Sequence, residues 1–65
     1  MKIRLNNQEI ETNASTIACL MEELALPRQG VAVAVDNTLI PRAEWGSYTL
    51  SEDIRIMIIK AVSGG

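Results

Sequence analysis

Sixty-five residues allow one domain with one small core, because a chain of this size buries only about 60% of its unfolded surface on folding. One cysteine and no histidine exclude an internal disulfide and leave few metal ligands, so stability must come from packing of Ile, Val and Leu. Six Lys and Arg against eight Asp and Glu make the chain mildly acidic, without the basic patch that tracks phosphates, so nucleic acid is not expected as a partner. No apolar run approaches the ~18 residues of a membrane helix, so no membrane is expected either. The lone Cys19, and a start at Met1-Lys2-Ile3-Arg4-Leu5 that lacks a signal-peptide pattern, fit a reducing cytoplasm.

In chain order, Ile3 and Leu5 alternate with Lys2, Arg4 and Asn6, and Ile10 and Thr12 alternate with Glu9 and Glu11. With Asn6-Asn7-Gln8 able to turn between them, this pattern predicts a β-hairpin. After Asn13-Ala14 the period changes, and Ile17, Leu20, Met21 and Leu24 form the stripe of an amphipathic helix. Ser15 or Thr16 is the expected N-cap, and Pro27, which disfavours helical geometry at Leu26, is the expected stop. Gly30 then opens a strand, Val31-Ala32-Val33-Ala34-Val35, with large residues on one face and small ones on the other. Asp36-Asn37 is a turn-forming pair, Thr38-Leu39-Ile40 a short returning strand, and Arg42 to Trp45 one helical turn broken by Gly46. Ser51-Glu52-Asp53 turns the chain into a last strand, Ile54 to Val62. Repeats, low-complexity segments and linkers are absent from the sequence.

One helix is thus available to cover one face of one sheet, an α+β pair of layers. The inward faces are expected to carry Ile3, Leu5, Ile10, Val31, Val33, Val35, Leu50, Ile54, Ile56 and Ile58, packed on Ile17, Leu20, Met21 and Leu24. Setting the last strand parallel to the first buries both in the middle of the sheet, which suits Ile54 to Ile59 as the most apolar stretch. That arrangement is the ubiquitin-like β-grasp, a mixed sheet of four to five strands with one helix on one face. Residues 1–62 form its single domain, and 63–65 a flexible tail.

The tail, Ser63-Gly64-Gly65, is where chemistry is expected. Glycine populates backbone regions closed to other residues, so two in a row make a thin strip able to thread a narrow channel in a partner. A carboxylate on Gly65 would stand at an unhindered carbon, and it is ionised at neutral pH. The competing reading is an idle frayed end. What favours a presented tip is the strand that leads almost directly into it.

Beyond these local readings, the chain resembles along essentially its whole length the ubiquitin-like sulfur carriers of thiamine biosynthesis. The resemblance rests on Ile40-Pro41-Arg42, on Trp45 with Leu50 five residues later, on Asp53-Ile54, and on Ala61-Val62-Ser63-Gly64-Gly65. It implies that the Gly65 carboxylate is activated with ATP by an adenylating enzyme related to ubiquitin-activating enzymes. It further implies conversion to a thiocarboxylate, with sulfur from a donor such as a cysteine desulfurase, and delivery of that sulfur to thiazole synthase. Ser63 and Gly64 would be the threading tail. The carrier itself would hold no cofactor or metal and supply no catalytic residue, so it would be a protein cosubstrate and not an enzyme. Two positions depart from the family pattern: Glu52 stands where many relatives have glycine, and Asp36-Asn37-Thr38 replaces a commoner asparagine-led turn. A carrier of the molybdopterin synthase type, a ubiquitin-like modifier joined to lysines, and a plain interaction domain are the alternatives.

With only one helix, the other face of the sheet is expected to be bare. Met57, Ile59 and Ala61 of the last strand, with Ala32 and Ala34 beside them, form the expected docking surface for partners, the alternative being ordinary surface hydrophobics or dimer packing. Cys19 falls off the helical stripe and reads as a small helix residue without a role, a sulfur relay being the alternative. Trp45, with Tyr48, either closes one end of the core or anchors a partner.

Overall fold

Both predicted hairpins form, and each turns on two residues. A computed structural model of the chain describes residues 1–26 and 29–60. β1 (Lys2–Leu5) and β2 (Gln8–Glu11) are joined by Asn6-Asn7, with φ of 50° and 68°. β3 (Val31–Val35) and β4 (Thr38–Leu39) are joined by Asp36-Asn37, with the same pair of angles. Positive φ at both central residues is the mark of the type I′ turn, whose twist matches that of the flanking strands, and Asn and Asp tolerate it best after glycine. Two-residue turns fix the register, so Leu5 faces Gln8 and Val35 faces Thr38.

The last strand, β5 (Arg55–Lys60), enters the middle of the sheet, giving the order β2-β1-β5-β3-β4. It runs parallel to β1, with Leu5 beside Ile56, and antiparallel to β3, with Val35 beside Ile56 and Val33 beside Ile58. One helix on this mixed five-stranded sheet is the expected β-grasp. Ala61 and Val62, assigned to the strand from sequence, and the tail 63–65 lie outside the described residues.

The helix α1 (Ile17–Glu23) starts at Thr16, whose hydroxyl accepts from the Cys19 amide at 3.2 Å. The N–H groups of the first turn are also used: Ile17 donates to the Tyr48 carbonyl and Ala18 to that of Trp45, and the first bond of the helix itself runs from Leu20 to the Thr16 carbonyl. The loop from the 3₁₀ turn Arg42–Glu44 to Leu50 is therefore bonded onto the start of the helix, where unpaired donors would otherwise need water.

The helix ends earlier than Pro27 implies. Leu24 is its cap, Ala25 is left-handed at φ 56°, and Ala25 and Leu26 donate back to Glu22 and Met21. These two bonds make a Schellman turn, with alanine where glycine is usual. An L-residue there costs about 1–2 kcal/mol, of which glycine recovers most while losing some chain entropy. Ala25→Gly is accordingly expected to raise stability by about 1 kcal/mol, read as a higher urea midpoint at unchanged slope.

Ile3, Ile17, Leu20, Met21, Val33, Val35, Leu50, Ile56 and Ile58 are buried in one core, as expected. Leu5, Ile10, Leu24, Val31 and Ile54, placed inside from the sequence, are only half-buried at its rim. A helix of seven residues is about 10 Å long and cannot roof five strands. Ala14 and Trp45 complete the core instead. Trp45 is 3% exposed and its indole N–H donates to the Ile40 carbonyl at 3.0 Å, so it closes the end of the core and does not stand out as an anchor. Buried Thr12 is satisfied too: its hydroxyl donates to Glu23 at 2.6 Å and accepts from the Ala14 amide, tying the hairpin to the helix.

Glu52, the departure from the family pattern, accepts from the Lys2 amide at 3.0 Å, while Asp53 donates to the Lys2 carbonyl. Together they fasten the start of β1 to the turn before β5. At the same end, the Met1 ammonium lies 2.9 Å from Glu11, and this hydrogen bond, reinforced by its charge, holds the Glu11 carboxyl below its ordinary range.

Candidate functional site

Side chains alternate along β5, so Ile56 and Ile58 go to the helix side and Arg55, Met57 and Ile59 to the other. Cross-strand partners share a face. Ala34 therefore lies between Met57 on β5 and Leu39 on β4, and Ala32 lies beside Ile59. Met57, Ile59 and Leu39 are 38%, 51% and 65% exposed, which makes the helix-free side of β4-β3-β5 an apolar patch.

Of the residues proposed for docking, Met57 and Ile59 are exposed, Ala32 is half-buried and Ala34 is buried. Ala34 is covered because its methyl sits between two longer side chains on neighbouring strands; it forms the floor of the patch and not its rim. Ala61, Ser63, Gly64 and Gly65 lie outside the described residues. Sequence reading omitted Leu39, although a two-residue turn at Asp36-Asn37 already pairs 35 with 38 and hence 34 with 39. The signal was there in the turn length.

Across the sheet the same face changes character. Lys2, Arg4, Glu9 and Glu11 of β1 and β2 point outward, with Lys2 3.6 Å from Glu9. Arg4 and Arg55 stand side by side on adjacent strands and make no ion pair among the described residues. With Met57, Asn7, Asp36 and Asn37 they line a shallow depression of about 510 Å³. The outer face is thus an apolar half bordered by two guanidinium groups. Such a surface is complementary to a partner with apolar side chains and nearby carboxylates.

Cys19 is exposed on the helix side of the sheet, so α1 and the sheet separate it from the patch. Among the described residues no group of three His, Cys, Asp or Glu is placed to hold a metal ion, and no helix is long and apolar enough to cross a membrane. What the described arrangement offers is an exposed apolar patch bordered by two arginines, on the sheet whose central strand is described to Lys60.

Comparisons with known proteins agree with the fold and extend it. The crystal structure of a thiamine biosynthesis protein (ThiS) from Geobacter metallireducens superposes with a TM-score of 0.85 at 14% identity, covering 100% of both chains. A solution structure of a thiamine biosynthesis protein from the same organism gives 0.80 at 16%, covering 100% of this chain and 88% of that one. At such identities the likeness establishes the fold alone. In sequence, the chain is 27% identical over 66 residues to the Sulfur carrier protein ThiS of Escherichia coli (strain K12), covering 100% of each. The family model described as ThiS family matches residues 3–65. Because that match runs from β1 through the helix and all later strands to Gly65, the chain belongs to the ThiS family.

Proposed function

We propose that the chain is a sulfur carrier of thiamine biosynthesis whose reactive group is the Gly65 carboxylate, presented on the tail Ser63-Gly64-Gly65. The family match, which extends through those glycines, is the observation that carries this reading. An ionised carboxylate is a usable nucleophile but a poor acceptor of sulfur. Attack on the α-phosphorus of ATP releases pyrophosphate and leaves an acyl adenylate, whose carbonyl is electrophilic. The terminal sulfur of a persulfide then displaces AMP, and thiol cleavage of the remaining S–S bond leaves the thiocarboxylate. ATP belongs to the activating partner, and a donor such as a cysteine desulfurase supplies the sulfur. Thiazole synthase would consume the product. The carrier is a cosubstrate in this scheme, with residues 1–62 as the body and 63–65 as the arm.

The reading is tested by incubating the protein with ATP and a ThiS-activating enzyme and recording the intact mass. An adenylate adduct is expected, replaced after addition of a persulfide donor by a species with one sulfur in place of one oxygen. An unchanged mass in both steps would overturn it.

Docking would use the apolar half of the outer face, Met57, Ile59, Leu39 and Ala32 over Ala34, continued toward Ala61, with carboxylates of the partner meeting Arg4 and Arg55. Met57→Glu or Ile59→Glu sets a like charge against those carboxylates and removes apolar contact. Each is expected to weaken binding to the activating enzyme or the synthase by about 1–3 kcal/mol, the range of an interface hot spot. Folding should hardly change, since both side chains point away from the core. Titration calorimetry giving wild-type affinity for both variants would remove this face from the interface.

A further inference from the structure

The ladder between β1 and β5 continues after its main chain runs out. Arg4 donates to the Ile54 carbonyl and Asn6 to the Ile56 carbonyl, each at 2.9 Å, which is the spacing of a parallel pair. The next rung belongs to Ile58, but at Asn6 the backbone has gone left-handed into the hairpin turn. The side-chain amide takes its place. Asn6 Oδ1 accepts from the Ile58 amide at 2.8 Å, and Asn6 Nδ2 donates to the Ile58 carbonyl at 3.3 Å. A carboxamide carries the same donor and acceptor as a peptide group, so one side chain stands in for the two main-chain groups that a longer β1 would have supplied. No other hydrogen bond of the described residues reaches β5 from the β1 side beyond this point.

Ile58 lies two positions before Lys60, the last residue of β5, and seven before Gly65. We propose that Asn6 is a positioning residue for the reaction at Gly65: by holding Ile58 on its β1 side, it fixes the end of the strand from which the chain continues to Gly65. The inference rests on the carrier reading above. Its physical basis is that a reacting group must arrive in a near-attack geometry, and that beyond Asn6 the described end of β5 is held on its β3 side only, through Ile59 and Lys60.

Asn6→Gly separates the clamp from the turn, because glycine accepts positive φ readily and the hairpin can close without the amide. Asn7→Gly is the control: Asn7 has φ 68° in the same turn, and its side chain makes no hydrogen bond among the described residues. In Asn6→Gly the Ile58 amide is expected to exchange its hydrogen on the order of tenfold faster, and in Asn7→Gly at the wild-type rate. With the activating enzyme and ATP, kcat for adenylate formation is expected to fall on the order of tenfold in Asn6→Gly, with KM within about twofold because Met57, Ile59, Leu39, Arg4 and Arg55 are untouched. Asn6→Asp keeps an acceptor for the Ile58 amide and should recover part of the rate.

Wild-type kcat in a folded Asn6→Gly protein, Ile58 exchange raised equally in the Asn6 and Asn7 variants, or a loss confined to KM would each overturn the inference while leaving the carrier reading in place. Failure of the wild-type chain itself to form the adenylate would instead overturn the carrier reading, and the inference with it.

Discussion

Ile56→Ala is expected to lower the stability of the fold by about 2–5 kcal/mol, the cost of truncating a large buried aliphatic side chain. Ile56 is 1% exposed on the central strand, flanked on the same face by Leu5 of β1 and Val35 of β3 and roofed by the helix. Three parts of the chain that are far apart in sequence meet there. Neighbours on both sides belong to hydrogen-bonded strands, so the site cannot collapse into the space left by the missing carbons. Small domains have about 5–15 kcal/mol in all, and one of this size lies toward the low end, so the variant should be partly unfolded in mild denaturant. Cys19→Ser provides the contrast. Its side chain is exposed on the outer side of α1, and such a substitution should stay within about 0.5 kcal/mol. Coincident urea melts for the two variants would refute the placement of β5. Loss of sulfur transfer in folded Cys19→Ser protein would show that the only thiol takes part.

Deletion of Gly65 is expected to abolish adenylate formation, and a C-terminal extension should do the same. The proposed chemistry requires a carboxylate on an unbranched carbon, and either change removes it or moves it. Among the described residues the core runs from Ile3 to Ile58, seven positions before Gly65, so the urea midpoint of both variants is expected to match wild type. Intact-mass analysis after incubation with ATP and the activating enzyme decides the matter. An AMP adduct on the truncated chain, or a sulfur-for-oxygen exchange in the extended one, would mean that Gly65 is not the reactive residue. Read together with Ile56→Ala, the deletion separates carriage from folding: one variant keeps its stability and loses the reaction, and the other loses much of its stability.

Much of the architecture was legible from short-range pattern. The alternation of Ile3 and Leu5 with Lys2 and Arg4, the helical stripe Ile17-Leu20-Met21, and the turn pairs Asn6-Asn7 and Asp36-Asn37 depend on neighbours at most four residues away. Each element therefore formed where its own chemistry called for it, and of the two expected N-caps, Ser15 and Thr16, it is Thr16 that caps the helix. Sequence periodicity also fixed which side of β5 each residue takes, and with it the exposure of Met57 and Ile59. Tail residues Gly64 and Gly65 were singled out by chemistry alone.

Only the tertiary structure could decide how far burial extends and where backbone groups find partners once their strand has ended. Leu5, Ile10 and Ile54 carry the inward pattern and yet sit at the rim, because a seven-residue helix leaves the margins of the sheet open. The helix is followed by a left-handed Ala25, a conformation that glycine usually supplies. Leu39 joins the outer patch through its pairing with Ala34, and Glu52 finds the Lys2 amide. Asn6 reads in sequence as a turn residue and nothing more, but it holds Ile58 across a separation of 52 positions. Period and turn preference are local properties of the chain, whereas these contacts arise when distant segments pack and an unpaired peptide group must be satisfied by whatever side chain the fold brings within reach.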